Sequence, residues 1–149
     1  MAPGRYTELF FLDEATALAA GHRPCAECRR ADYNRLTDIW SELHGGLVRA
    51  DSIDAQLHRE RLGANVGSRR LHGMPYASLP DATFVLHANQ PCLVLGKALL
   101  SWSPAGYQEP RLRPVQGLAT VITPPSLVAV LQHGWVPLVP LVHPSAART

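Results

Sequence analysis

Cys25 and Cys28 stand three positions apart in the stretch Arg23-Pro24-Cys25-Ala26-Glu27-Cys28-Arg29, a spacing suited to holding one metal ion. A Cys-x-x-Cys turn folds its backbone amides beneath two sulfurs, and zinc prefers thiolate and imidazole ligands in a tetrahedron. Pro24 stiffens the entry to the turn. Two thiolates make half a structural site, so further ligands must come from elsewhere. The candidates are His22, which one tight turn could bring round, His72, which follows a glycine-bearing segment able to fold back, and His44 and Cys92. Cys92 sits between Pro91 and Leu93 in an apolar run, the pattern of an inert core thiol. The metal set read from the chain is Cys25, Cys28, His22 and His72, with zinc as the cofactor.

A second constellation is Asp51, Asp54 and His58, which share one face of a helix if one begins near Asp51. Two oxygens and a nitrogen could hold a divalent ion, and with arginines gripping a phosphate the alternative function is a metal-dependent phosphodiester hydrolase or nuclease. Acids at a helix start also complement its dipole with no metal present. Arg23, Arg29, Arg30 and Arg35 surround the cysteine pair and are the candidate nucleic-acid contacts, because the planar guanidinium suits phosphate. Glu27, Asp32, Asp38 and Glu42 interleave with them, so local salt bridges compete for the same side chains. Arg59, Arg61, Arg69 and Arg70 form a second basic cluster. Trp40 and Trp102 lie in apolar, periodic contexts that predict core packing, and Trp135 is open between packing and stacking. No activated serine, phosphate-binding glycine loop or dinucleotide fingerprint is present, so no small-molecule cofactor is expected.

The stretch from Phe10 to Arg29 resembles the second half of the metal-binding domain of Ada-type DNA alkylation-repair proteins. It has the Phe10-Phe11 strand, the Ala-rich segment Glu14 to Ala20, and then Gly21-His22-Arg23-Pro24-Cys25-Ala26-Glu27-Cys28-Arg29. In that family the domain binds zinc through four cysteines and contacts DNA, and a cysteine of its first pair accepts a methyl group. The resemblance implies zinc at Cys25 and Cys28 and DNA or RNA as partner. This chain has no cysteine pair before Phe10, and Arg30 stands where the family usually has proline, so alkyl transfer is not carried over. The missing half is supplied before Met1 in a longer gene product, or by other residues of this chain, or the fold dispenses with the metal.

The elements that must position these residues are legible from patterning. Leu9 to Leu12 predicts a buried strand, and Asp13 caps a helix over Glu14 to Ala20 that Gly21 stops. After the cysteine pair, Tyr33, Leu36, Ile39, Trp40 and Leu43 recur at helical spacing within a helix from Ala31 to Leu43, closed by Gly45-Gly46. A third helix runs from Asp51 or Ser52 to Leu62, and Gly63 to Gly73 reads as a loop or as a place where something binds. From Leu79 onward short β-type runs follow at Thr83 to His87, Cys92 to Leu95, Leu99 to Trp102 and Thr120 to Ile122. Pro124-Pro125 opens a helix from Ser126 to His133, and the proline-bearing tail from Val136 to Pro144 predicts an extended segment along an edge.

The totals set the frame. The chain has 149 residues, 46% hydrophobic and 17% charged, with a formal net charge of +2, which fits folded domains and excludes the disordered class. A balance of +2 is too small to argue nucleic-acid binding by itself, although 13 of the basic residues are arginine and Lys97 is the lone lysine. Three cysteines, two of them close together, point to a reducing compartment rather than a disulfide framework. With no long apolar window and no signal-like start, the expected location is cytoplasmic, with no membrane partner. The expected fold class is α+β: an N-terminal strand, helix, knuckle and helix unit over residues 1–62, then a β-rich lobe over 74–149 with a small antiparallel meander or partial barrel and a C-terminal helix, the two forming separate domains or one. The expected function is that of a non-enzymatic zinc-binding protein on a nucleic-acid backbone, with a partner-binding scaffold as a further alternative.

Overall fold

A computed structural model describes residues 13–46, 49–61, 71–138 and 140–147. The fold is α+β, with a six-stranded antiparallel sheet and four α-helices among the described residues. The predicted strand at Leu9 to Leu12 and most of the Gly63 to Gly73 segment lie outside them. No helix among the described residues is long and apolar enough to cross a membrane.

Helix α1 (Glu14–Ala19) begins where a carboxylate can satisfy the free amides of its first turn. Asp13 Oδ1 accepts the Thr16 amide at 2.9 Å, and Thr16 Oγ1 accepts the Asp13 amide at 3.2 Å, which is a reciprocal capping box. Gly21, at a φ of +85° that disfavours side chains, turns the chain out of the helix toward the cysteine knuckle. Helix α2 (Arg30–His44) follows the knuckle directly. Of the predicted apolar face it buries Leu36, Ile39 and Trp40 and half-buries Tyr33 against the same core, while Leu43 at its end is 38% exposed. Helix α3 (Ala50–Arg61) buries Ile53 and Leu57.

The sheet is a meander with one return. Strands β1 (His72–Pro75), β2 (Phe84–His87), β3 (Gln90–Leu95), β4 (Ala98–Ser103), β5 (Gly106–Leu112) and β6 (Leu118–Val121) are arranged in the order β1-β6-β2-β3-β4-β5. Ala88 and Asn89, with φ of 52° and 64°, form the tight turn between β2 and β3, the conformation that suits the twist of a two-residue hairpin. The run at Thr120 to Ile122 becomes β6, which pairs with β2 on one side and β1 on the other. Strand β1 is a correction: its first two residues, His72 and Gly73, end the segment read as a loop, and with Met74 and Pro75 they become strand because β6 offers them an edge.

Alternate residues of each strand point to opposite faces. Phe84, Leu93, Leu100 and Tyr107 face the helices and join Leu18, Leu36, Trp40, Ile53 and Leu57 in one continuous core. Each such large side chain removed from water contributes about 1.5–3 kcal/mol. Val85, Cys92, Val94, Leu99 and Val121 point the other way and pack with Tyr76 and Leu79. Helix α4 (Pro125–Gln132), with proline at its first position, buries Leu127, Val128 and Val130. The tail crosses α1, where Leu141 accepts the Ala15 amide at 2.9 Å, and ends in a 3-10 turn (Pro144–Ala147) at edge strand β5, where Ser145 Oγ accepts the Tyr107 amide at 2.9 Å. Trp135, left open by the sequence, is buried, and its indole N–H donates to the Asp32 carbonyl at 3.2 Å.

Candidate functional site

The knuckle joins α1 to α2, and its geometry follows from the turn. The Cys28 amide donates to Cys25 Sγ at 3.4 Å, and the Arg29 amide to the Cys25 carbonyl at 3.0 Å. Both thiols are exposed. The amides of Cys28 and then Glu27, with the Cys28 thiol, hold the Cys25 thiol below its ordinary pKa, whereas hydrogen bonding to Cys25 raises that of Cys28. The pair is therefore asymmetric: Cys25 ionises first, with Cys28 as its donor.

The arginines around it divide into two kinds. Arg29 Nη1 donates to Glu14 Oε1 at 2.7 Å and Nη2 to Asp32 Oδ2 at 2.8 Å. Burial works against the charge on Arg29, but the two carboxylates outweigh it and hold the guanidinium above its ordinary pKa. Glu14 and Asp32 are themselves buried, so this triad ties the knuckle's exit to the start of α1. Arg23 is equally committed. Its Nε and Nη2 meet Asp54 Oδ1 and Oδ2 at 2.9 and 3.0 Å, Nη1 donates to the Pro24 carbonyl at 2.9 Å, and its guanidinium lies 5.3 Å from the centroid of the Tyr33 ring. Arg30 and Arg35 are exposed on α2. Of the four predicted nucleic-acid contacts, two hold carboxylates and two present their charge to solvent.

The predicted metal residues are distributed unevenly. His22 lies beside Cys25, and both line two clefts: one of about 770 Å³ shared with Asp54, His58 and Arg59 of α3, and one of about 580 Å³ shared with Val142 and His143 of the tail. His72 sits in β1, where its Nε2 lies 2.8 Å from the Thr123 carbonyl, and it lines neither cleft. His44 packs its ring against Trp40 at the end of α2, with centroids 5.1 Å apart. Cys92 is buried in β3, 3.9 Å from Ser101 Oγ. Among the described residues, no three of His, Cys, Asp and Glu are already gathered at ligating separation. In the second constellation, Asp54 gives both oxygens to Arg23, which leaves Asp51 exposed and His58 on the cleft wall.

The cysteine knuckle and the Asp54/His58 face, separate candidates along the sequence, line one cleft. A signal was present, since Arg23 and Asp54 carry opposite charge, but 31 intervening residues hide which of many arginines meets which acid.

The fold and site together define an α+β protein that carries an exposed dithiol on the turn into its longest described helix. No family model matches the chain, no curated protein is detectably similar to it, and no solved structure matches it.

Proposed function

We propose that this is a zinc-binding protein whose ion is held by the Cys25 and Cys28 thiolates, and that its partner is the backbone of DNA or RNA. The observation that carries the reading is the pairing of two exposed sulfurs on one turn, with the Cys28 amide directed at Cys25 Sγ at 3.4 Å. Soft donors at this spacing suit zinc above the hard divalent cations. Zinc bound there would staple the turn that joins α1 to α2. The resemblance to the Ada-type metal domain supports the same two ligands. For the nucleic-acid partner the support is narrower: Arg30 and Arg35 are exposed on the helix that leaves the knuckle, while Arg23 and Arg29 position the loop.

The test is metal content after reconstitution with zinc and exhaustive dialysis. The parent should retain zinc, and a Cys25→Ser/Cys28→Ser variant should lose it along with thermal stability on the order of several kcal/mol. Equal retention by both proteins, or retention by neither, would sink the reading.

A further inference from the structure

We infer that Cys25 and Cys28 form a redox couple: in the metal-free chain the pair exchanges with external disulfides, Cys25 attacking and Cys28 resolving. The inference goes beyond the zinc reading and does not depend on it, since it concerns the two thiols alone.

The turn already holds the sulfurs together. The Arg29 amide closes it onto the Cys25 carbonyl at 3.0 Å, the Cys28 amide donates to Cys25 Sγ at 3.4 Å, and the Cys28 thiol is hydrogen-bonded to Cys25. Residues three apart in a helical turn have Cα atoms about 5 Å apart, within the range of about 4.4–6.8 Å that a disulfide spans. Closing the bond therefore needs side-chain rotation only and leaves α1 and α2 in place.

The two sulfurs differ in access. Cys25 lines both clefts beside the knuckle, of about 770 and 580 Å³, and Cys28 lines neither. Pro24, Pro140, Val142 and Pro144 give the smaller cleft an apolar wall, which can seat the organic group next to an incoming disulfide. That disulfide thus reaches Cys25 first. Cys92, the third cysteine of the chain, is buried in β3, so resolution falls to Cys28.

The exchange balances in two steps. Cys25 releases its proton and attacks one sulfur of the external disulfide; a Cys25–sulfur bond forms, the external sulfur–sulfur bond breaks, and the first thiolate leaves and takes a proton from solvent. Cys28 releases its proton and attacks Cys25 Sγ in the mixed disulfide, which closes the Cys25–Cys28 bond and expels the second thiolate to be protonated in turn. The protein gives up two electrons and two protons, and the external disulfide becomes two thiols. Zinc requires both thiolates, so the disulfide and the zinc-bound form exclude one another.

Mass spectrometry of the acid-quenched, metal-free chain tests this, after equilibration in glutathione buffers with and without urea. The folded parent should form a Cys25–Cys28 disulfide that reduced glutathione reopens, at an effective concentration at least about tenfold that in the unfolded chain. Cys28→Ser should stop at a glutathione mixed disulfide on Cys25, and Cys25→Ser should acquire its adduct at Cys28 at least about tenfold more slowly. An oxidised peptide with apolar flanks, offered beside glutathione disulfide, separates the sources: faster exchange with the peptide assigns a polypeptide substrate, and slower exchange the low-molecular-weight pool. Two stable glutathione adducts on the pair, or no gain on folding, would overturn the couple. Adducts forming equally fast in the two single variants would overturn the assigned roles. Zinc retention is measured separately, so either inference can fail alone.

Discussion

Asp32 Oδ1 accepts the Leu138 backbone amide at 2.7 Å, joining the first turn of α2 to a tail 106 residues away. The same carboxylate takes Arg29 on its other oxygen at 2.8 Å, so one buried acid anchors the knuckle's exit and the strap that crosses it. Asp32→Ala removes both partners at once, leaving an amide and a guanidinium without their acceptor. A loss of about 1.5–3 kcal/mol is expected from the charged hydrogen bonds alone. Denaturant unfolding would measure it, and an unchanged midpoint would show that the strap is held by its apolar contacts instead.

Glu60 plays the matching role between α3 and α4. It is buried, accepts the Ser126 amide through Oε1 at 2.9 Å and the Ser126 hydroxyl through Oε2, and is supported by Gln56 at 2.7 Å. Glu60→Ala leaves the first turn of α4 with an unsatisfied buried amide, at a cost of about 1–3 kcal/mol. At roughly 2–4 °C per kcal/mol for a chain of this size, the thermal midpoint should fall by several degrees.

Most of the helical frame was legible because its signals are local. Asp13, Gly21, Gly45-Gly46 and Pro124-Pro125 mark ends through chemistry within one turn, and the observed α1, α2 and α4 start or stop within a residue or two of the boundaries read from them. Strand β5 (Gly106–Leu112) escaped notice because its residues from Gln108 onward are exposed, so no alternation marks them. β1 escaped because His72 and Gly73 carry no strand signal of their own and pair only through β6. At the site, the paired thiols were readable from spacing. The sorting of the arginines was not, because whether Arg23 meets a phosphate or Asp54 depends on where α3 lies.

The accessible charge on α2 gives a prediction for nucleic-acid binding. If Arg30 and Arg35 contact phosphates, Arg30→Ala/Arg35→Ala should reduce the slope of log affinity against log salt by roughly two. Fluorescence anisotropy with single- and double-stranded oligonucleotides across a salt series would read it. A slope unchanged from the parent would remove these residues from the interface.

Thiol labelling separates the three cysteines. Cys25 and Cys28 are exposed and Cys92 is buried in β3, so two equivalents of an alkylating reagent should react quickly with metal-free protein and the third only on unfolding. Of the fast pair, Cys25 should react first, because the Cys28 and Glu27 amides favour its thiolate whereas hydrogen bonding to Cys25 raises the pKa of Cys28. Peptide mapping at partial modification gives the order, and zinc should slow both. Equal labelling of all three would contradict the burial of Cys92.

Tyr107 ties the sheet to the start of α1 by donating its phenol to Asp13 Oδ2 at 2.8 Å. Burial, followed by the charge and hydrogen bond of Asp13, pushes the phenol far above its ordinary pKa. The folded chain thus binds this proton more tightly than the unfolded chain, whose tyrosines ionise near pH ~10. The stabilisation is fully present below that pH and is lost progressively as the pH rises above it, because the unfolded state gains an ionisation that the folded state resists. Tyr107→Phe should lower stability at neutral pH by about 1.5–3 kcal/mol through loss of the charged hydrogen bond and also flatten the alkaline fall. Denaturant midpoints from pH 8 to pH 11, an interval chosen to bracket about pH 10, would show the parent and variant curves converging. Curves that stay parallel would mean that the phenol ionises alike in the folded and unfolded chains.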